Sequence, residues 1–509
     1  MADPRFSRLG NGGQDLMNAL MPFILPFLLG FSTLETLLRH TRIPGRMFLS
    51  AVLAIPAGLS LLSLMIFLAH CLHAPSAHSI TWVLAAAGLT AAMVIFLKDL
   101  PVEYLSKARG ASRSVPAPGF WHHDVEKWPD RLFVQALVAG SFLLLIFAAA
   151  DFLDYYWKNA TLNIWGGWDS RFMWHLKARF LYRDPAEWRG MFSPLVSWEN
   201  QDYPLMLPGI LSWGWLWMAQ EAPAWPALVS LSFYISLTGL FFWYFTFYHS
   251  AGSGALSAFF LLTLPHLRFW AGAFYADLPF AFFCAAATVL LMAALRHKDA
   301  VLFILSGLFA GFAVWTKNEG LLFFAALTAL ALPLWLRQPG PQLKSAAAYF
   351  AAALIPLAAF FAVKIFLAGK TTYLFASKSP ADYVRLFTDW DKIYFLGAAF
   401  LAFKRSAGWQ GLWYLFAASL IFYPLMRTQK RRLPYGWLPL ALVLMMEAGY
   451  GAAYLITPVE IHQHLTTSLT RLLLHSGILA LLFIFETFSV PGKRNILPVE
   501  KEDAACSVS

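Results

Sequence analysis

The sequence predicts an all-α polytopic transmembrane protein of about 13–14 spans, each needing roughly 20 apolar residues. Three observations predict it. Of 509 residues, 59% are hydrophobic and 13% charged, where a soluble globular chain carries about 25% charge. Apolar runs of spanning length follow one another along the chain, whereas a β-barrel would show short alternating segments. Lys and Arg gather in the short loops between the runs, as the positive-inside rule expects, so the formal charge of +10 implies no nucleic-acid partner. The three cysteines, Cys71, Cys284 and Cys506, lie far apart and indicate neither a disulfide framework nor a zinc site.

The runs fall near 17–38, 47–71, 80–98, 132–153, 205–219, 225–248, 254–270, 277–296, 301–316, 320–336, 345–367, 409–426, 434–456 and 470–488, with a shorter helix near 391–404. The first lacks a small-residue cleavage site and is followed by "RHTRIPGR", so it reads as a retained span. No internal repeat of the kind built into many secondary transporters is evident. The chain divides into N-terminal accessory spans with a basic cytoplasmic loop (1–131), a membrane core with a large loop at 154–204 (132–340), C-terminal spans (341–490) and a cytoplasmic tail (491–509).

Orientation follows from Lys and Arg. Loops carrying Arg39, Arg42 and Arg46, then Lys98, Lys107, Arg109 and Arg113, then Arg296 and Lys298, then Arg337 and Lys344, then "RTQKRR" (427–432) are expected to be cytoplasmic. The segments 154–204, Asp277, Lys317 with Glu319, and 457–469 then share the opposite face. Three apolar runs separate Asp202 from Asp277, although both ends belong outside. The short 205–219 run, rich in Trp and interrupted by Pro208, is expected to be re-entrant, interfacial or half-length. Such backbone is tolerated only where protein or a watery cavity shields it.

The loop 154–204 is far longer than a plain connection needs. Its centre, "NIWGGWDSRFMWHLKARFLY" (163–182), places Asp169, Arg171, His175, Lys177 and Arg179 among tryptophans. Gly166 and Gly167 predict a turn, and Asp169 or Ser170 can cap a helix running to about Tyr182. That helix sets Asp169, Met173, Lys177 and Phe180 on one face, with Asp169 and Lys177 about 12 Å apart. The composition alone fits an interfacial helix: a capping Asp169, Lys177 and Arg179 on lipid phosphates, and Trp165, Trp168, Trp174 and Trp188 at the headgroup level. It also fits a catalytic carboxylate at the mouth of a lipid-lined cavity.

Other polar stretches reach the same face. Asp277 starts a span in "FYADLPF", where a helix N-terminus welcomes an acid. "VWTKNEG" sets Lys317 and Glu319 between two runs. "TPVEIHQHLTTSLTRLLLH" carries Glu460, His462, His464 and Arg471 before the last span. "LPHLRFW" adds His266 and Arg268, and "QDYPLMLPG" adds Asp202 and Tyr203. Each reads as an ordinary cap, loop ion pair or solvated turn when taken alone. Together they supply carboxylates able to deprotonate an acceptor hydroxyl, and cations able to stabilise a departing phosphate.

Four stretches carry a resemblance: "WDSRFMWHLKA" (168–178), "DYPLMLP" (202–208), "YADLPF" (275–280) and "GLFAGFAVWTKNEG" (307–320), with "HLTTSLTRLL" (464–473) as a looser echo. In order and type they resemble the C-fold integral membrane glycosyltransferases, among them the protein O-mannosyltransferases and the lipid A aminoarabinose transferases. The resemblance implies that Asp169 is the catalytic loop acid and Asp277 the second acid. It implies a donor sugar on a polyprenyl or dolichyl phosphate, inversion at the anomeric centre, and a hydroxyl of a lipid, glycan or protein as acceptor. Many relatives have an acidic pair where Ser170 follows Asp169 here, and a basic residue before two prolines where this chain has Asp202, Tyr203 and Pro204. The donor-phosphate cations expected instead are Lys177, Lys317 and Arg471. Trp168, Trp174, Asp202, Tyr203, His266, Arg268, Glu319, His462 and His464 are the expected substrate-binding residues. No nucleotide-sugar loop is present. No ligand-rich metal motif is present, and a divalent ion would need donor oxygens to complete its shell. The expected setting is a bacterial inner membrane with the site toward the periplasm. A transporter of lipid-linked sugars and a non-catalytic assembly subunit are the alternatives.

Overall fold

The computed structural model describes residues 18, 20–98, 128–336, 341–368, 379–427 and 434–489. The predicted basic loop at 99–127, Arg337, most of "RTQKRR" and the tail from 491 lie outside the described residues. Helices make up the described chain, and no strand occurs among the described residues. Among the described residues nine helical stretches are long and apolar enough to cross a membrane, and three shorter apolar helices accompany them.

Among the described residues a short 3-10 turn (Met21–Phe23) leads into α1 (Ile24–Leu38), followed by a hairpin of α2 (Arg46–His73) and α3 (Ala77–Lys98). Gly30 and Gly58 let α1 and α2 touch backbone to backbone: a Cβ on Gly30 would strike the Ala54 carbonyl, and one on Gly58 the Pro26 carbonyl. Small residues serve the same purpose in membrane helix pairs generally. The long α4 (Trp128–Leu162) leads into the predicted loop, where a π-helical turn (Ser170–Trp174) continues as α5 (His175–Arg183).

Next comes α6 (Met206–Met218), which at 13 residues is about 20 Å long and too short to span. Both of its ends meet the same loop. The carbonyl of Tyr203 just before it accepts from Lys177, and Glu221 just after it pairs with Arg179 at 3.0 Å. The predicted odd run is therefore half-length, and α7 (Ala224–Tyr248) makes the crossing. The return is broken: α8 (Ala251–Thr263) stops at Leu264 and α9 (Pro265–Ala273) restarts at Pro265, because proline cannot donate into the preceding turn.

At the centre stands α10 (Asp277–His297), whose spanning stretch is fully buried by other helices. It packs with α7, α11 (Ala300–Thr316) and α18 (Ile461–Phe488). Toward the outside lie α12 (Glu319–Leu336), α13 (Pro341–Ala362), α14 (Pro380–Phe387), α15 (Trp390–Lys404), α16 (Leu412–Arg427) and α17 (Leu438–Ile456). The spans of α4 and α13 are largely uncovered by protein, as lipid-facing helices are.

The first spans pack against the rest of the bundle. Trp213 donates to the Pro22 carbonyl at 3.0 Å and Trp315 to the Ser63 hydroxyl at 3.0 Å, so one apolar core runs from Leu29 to Phe485.

The bundle has two polar ends. At one, Arg296 bonds Glu486 at 3.3 Å and the Pro434 carbonyl at 3.1 Å, and Trp243 bonds the Pro44 carbonyl at 3.0 Å. The loops of Arg39–Arg46 and Arg296–Lys298 thus gather at this end together with Pro434. Asp277 begins the other end, about 30 Å away along α10 at 1.5 Å per residue.

Candidate functional site

Gly166 and Gly167 dock the loop onto the end of α9. Gly166 has φ +69°, a region glycine enters without strain, and the Gly167 amide donates to the Ala273 carbonyl at 3.0 Å. That seating brings the Asp169 amide within 3.2 Å of the Tyr275 hydroxyl. The Asp169 carboxylate caps no helix. It instead accepts a hydrogen bond from the Arg471 guanidinium, which lies 5.4 Å from the Tyr275 ring centre. Asp169 and Arg471 are partly exposed, at 27% and 17% of their side chains, so this pair forms the open part of the site.

Asp277 likewise caps nothing; its Oδ1 accepts from Lys317 at 2.8 Å and from His475 Nε2 at 3.2 Å. With Nε2–H donated to Asp277, His475 Nδ1 is left to accept from the Tyr450 hydroxyl at 3.2 Å. Lys317 also meets Glu319 at 3.1 Å. Burial opposes charge on Lys317, but the carboxylates of Asp277 and Glu319 hold its ammonium above the usual lysine range. Asp277 and Lys317 are almost fully buried. Arg471 and His475 are four apart on α18, and such residues stand about 5–6 Å apart at Cβ. The open pair and the buried cluster are therefore neighbours on one helix face.

Tyr203 joins them. Burial first, then the charge of Glu319, push its phenol well above the ordinary tyrosine range, so it stays a neutral donor. Arg471, Asp202 and Asp277 also lie within electrostatic reach of its ring. Trp174 stands edge-on to it, with ring centres 5.6 Å apart. Asp202 accepts from Lys364 at 2.6 Å and from Asn318 at 3.0 Å.

Among the expected residues, then, Asp169, Asp277, Lys317, Glu319, Arg471, Asp202, Tyr203 and Trp174 converge. Trp168 is at the rim, 69% exposed and 4.2 Å from Phe172 between ring centres. His464 packs on Tyr454, with ring centres 4.8 Å apart, and feels Arg471 electrostatically. The remaining four sit elsewhere. Lys177 is fully buried and donates to the carbonyls of Asn200, Gln201 and Tyr203 at 2.9, 3.3 and 3.4 Å, so it ties the loop to itself. His266 bonds Ser406 at 3.0 Å against Trp409. Arg268 bonds Asp151 at 2.7 Å over the Tyr155 ring. His462 lies against Phe395, 4.7 Å between ring centres.

Four polar residues of the site were not singled out from the sequence. His475 could be found as the ring one turn past Arg471, Lys364 as the lone charge in the 345–367 run, and Tyr275 as the aromatic two before Asp277. Tyr450 carries no such signal. Among the described residues no group of three or more His, Cys, Asp or Glu side chains is placed to hold a metal ion. Asp169 and Asp277 each face a protein cation, Arg471 and Lys317. No family model, no curated protein and no solved structure matches this chain.

Proposed function

We propose that this chain is an inverting glycosyltransferase that moves a sugar from a polyprenyl-phosphate donor to a hydroxyl of a lipid, glycan or protein. The observation that carries the reading is the partly exposed Asp169–Arg471 pair set beside the buried Asp277–Lys317–His475 cluster. Buried charge is expensive in an apolar helical protein, and at this end of the bundle it adjoins an open acid–cation pair, which points to a site.

The donor phosphate competes with Asp169 for the Arg471 guanidinium, which suits planar bidentate anions. Asp169 so released accepts the proton of the acceptor hydroxyl. The acceptor oxygen attacks the anomeric carbon, the bond from that carbon to the phosphate oxygen breaks, and the phosphate leaves with the electron pair toward Arg471. Asp277 and Lys317 are closed off by their own partners, so they position α10 and α18 and act on the site through Tyr203 and Arg471. The acid-bearing end faces the non-cytoplasmic side of a bacterial inner membrane, opposite the basic loops.

Asp169→Asn tests this in purified protein given labelled polyprenyl-phosphate sugar. Transfer is expected to fall roughly a hundredfold or more, the scale of a lost acid–base group. Undiminished transfer removes Asp169 from the mechanism. One observation favours transport instead: Lys404 and Glu447 pair at 2.6 Å midway along α17. That reading predicts lipid movement without a new glycosidic product in the same assay.

A further inference from the structure

The cations nearest the site are mostly committed to partners inside the protein. Lys317 is enclosed between Asp277 and Glu319. Lys177 is buried against three carbonyls. A phosphate left to Arg471 alone would keep most of its charge uncompensated.

Lys364 differs from these. It is the sole charged residue between 345 and 367, and a lone ammonium in a spanning run is costly unless it serves a site. It lies in the π-helical turn Val363–Leu367 that ends α13, a widened turn frequent at functional positions. Around it the helix faces outward: Ile365 and Phe366 are 66% and 80% exposed, and Leu354, Ile355 and Phe361 are exposed on the same helix. From this lipid-facing helix Lys364 reaches inward to Asp202 at 2.6 Å, with 24% of its side chain still open. Asp202 directly precedes Tyr203, which lies within electrostatic reach of Arg471.

We propose that Lys364 binds the phosphate of the lipid-linked donor, with Asp202 occupying the ammonium until the donor arrives and the polyprenyl tail lying along the exposed face of α13. This rests on the transferase reading. A carboxylate and a phosphate present similar anionic oxygens to an ammonium, so one can replace the other. The charge comes from the protein interior and the apolar surface from the same helix, which matches an amphiphile with one anionic head.

The test uses full-length protein in nanodiscs of phosphatidylcholine, with two probes: a long-chain polyprenyl monophosphate and the polyprenol lacking the phosphate. Lys364→Ala is expected to weaken polyprenyl phosphate binding about tenfold or more, the scale of one charge-assisted hydrogen bond, and to leave polyprenol binding unchanged. Lys364→Arg restores phosphate binding, and Asp202→Asn tightens it by removing the competitor. The double variant Lys364→Ala/Asp202→Asn leaves no unpaired carboxylate and guards against a folding defect; it too is expected to lose the preference for phosphate. Wild-type binding by the double variant overturns the assignment of Lys364 while leaving the transferase reading in place. If the wild-type protein binds polyprenyl phosphate no better than polyprenol and transfers no sugar, the transferase reading itself falls.

Discussion

Asp277 shows how one residue can hold a site together without touching solvent. Its Oδ1 carries both Lys317 and His475. Asp277→Ala leaves the buried Lys317 with Glu319 alone, and removing one partner of a buried pair costs about 3–5 kcal/mol. The unfolding midpoint in detergent is expected to drop sharply, and much less in Asp277→Asn, which keeps a hydrogen-bond acceptor. His175 gives a second prediction. Burial pushes its imidazole down to about 4, against about 6.5 for the unfolded chain. The unfolded state therefore binds the proton first, and stability contributed by neutral His175 is complete above about pH 6.5 and is lost as the pH falls toward 4. The loss amounts to about 3 kcal/mol, readable as a difference in unfolding between pH 7 and pH 4.5 that His175→Gln reduces. At this scale the sequence was informative wherever a charge stood among apolar neighbours, as with Asp277, Lys317 and Arg471. It gave no sign of the partners of Lys177, which are backbone carbonyls, or of Arg268, whose partner Asp151 lies 117 residues earlier.

Among the elements, the turn at Gly166–Gly167 decides where Asp169 stands. A Cβ on Gly167 would lie 2.5 Å from the Tyr275 hydroxyl, which is the group that holds the Asp169 amide. Gly167→Ala is thus expected to lower transfer about ten- to hundredfold, as small misplacements of a reacting group do, with a much smaller change in unfolding midpoint. Comparable activity in the variant would show that the Tyr275 seat is dispensable. The elements themselves were legible from apolar length: α2, α3, α7 and α10 fall where the runs predict, whereas α18 starts at Ile461, nine residues ahead of its run. The 254–270 run resolved into α8 and α9 because Pro265 stops the first and starts the second. The π-helical turn after Asp169 has no composition of its own, since it differs from an α-turn by one inserted residue, and periodicity over so short a stretch cannot reveal it.

The molecule as a whole presents basic loops at one end and the acid-bearing site at the other, joined by the buried α10. In a background with the native cysteines replaced by serine, Lys158→Cys and Lys298→Cys are expected to react with a membrane-impermeant thiol reagent from opposite sides of sealed vesicles. Labelling of both from one side would overturn the two-ended arrangement. Both positions are exposed, Lys158 near the end of α4 and Lys298 just after α10. The half-length α6 has a consequence for how such a chain is made. Insertion machinery recognises segments by whether they can reach across the bilayer, and thirteen apolar residues fall below that length. On that length α6 is expected not to insert by itself but to enter the bundle by packing on α2, which precedes it in the chain.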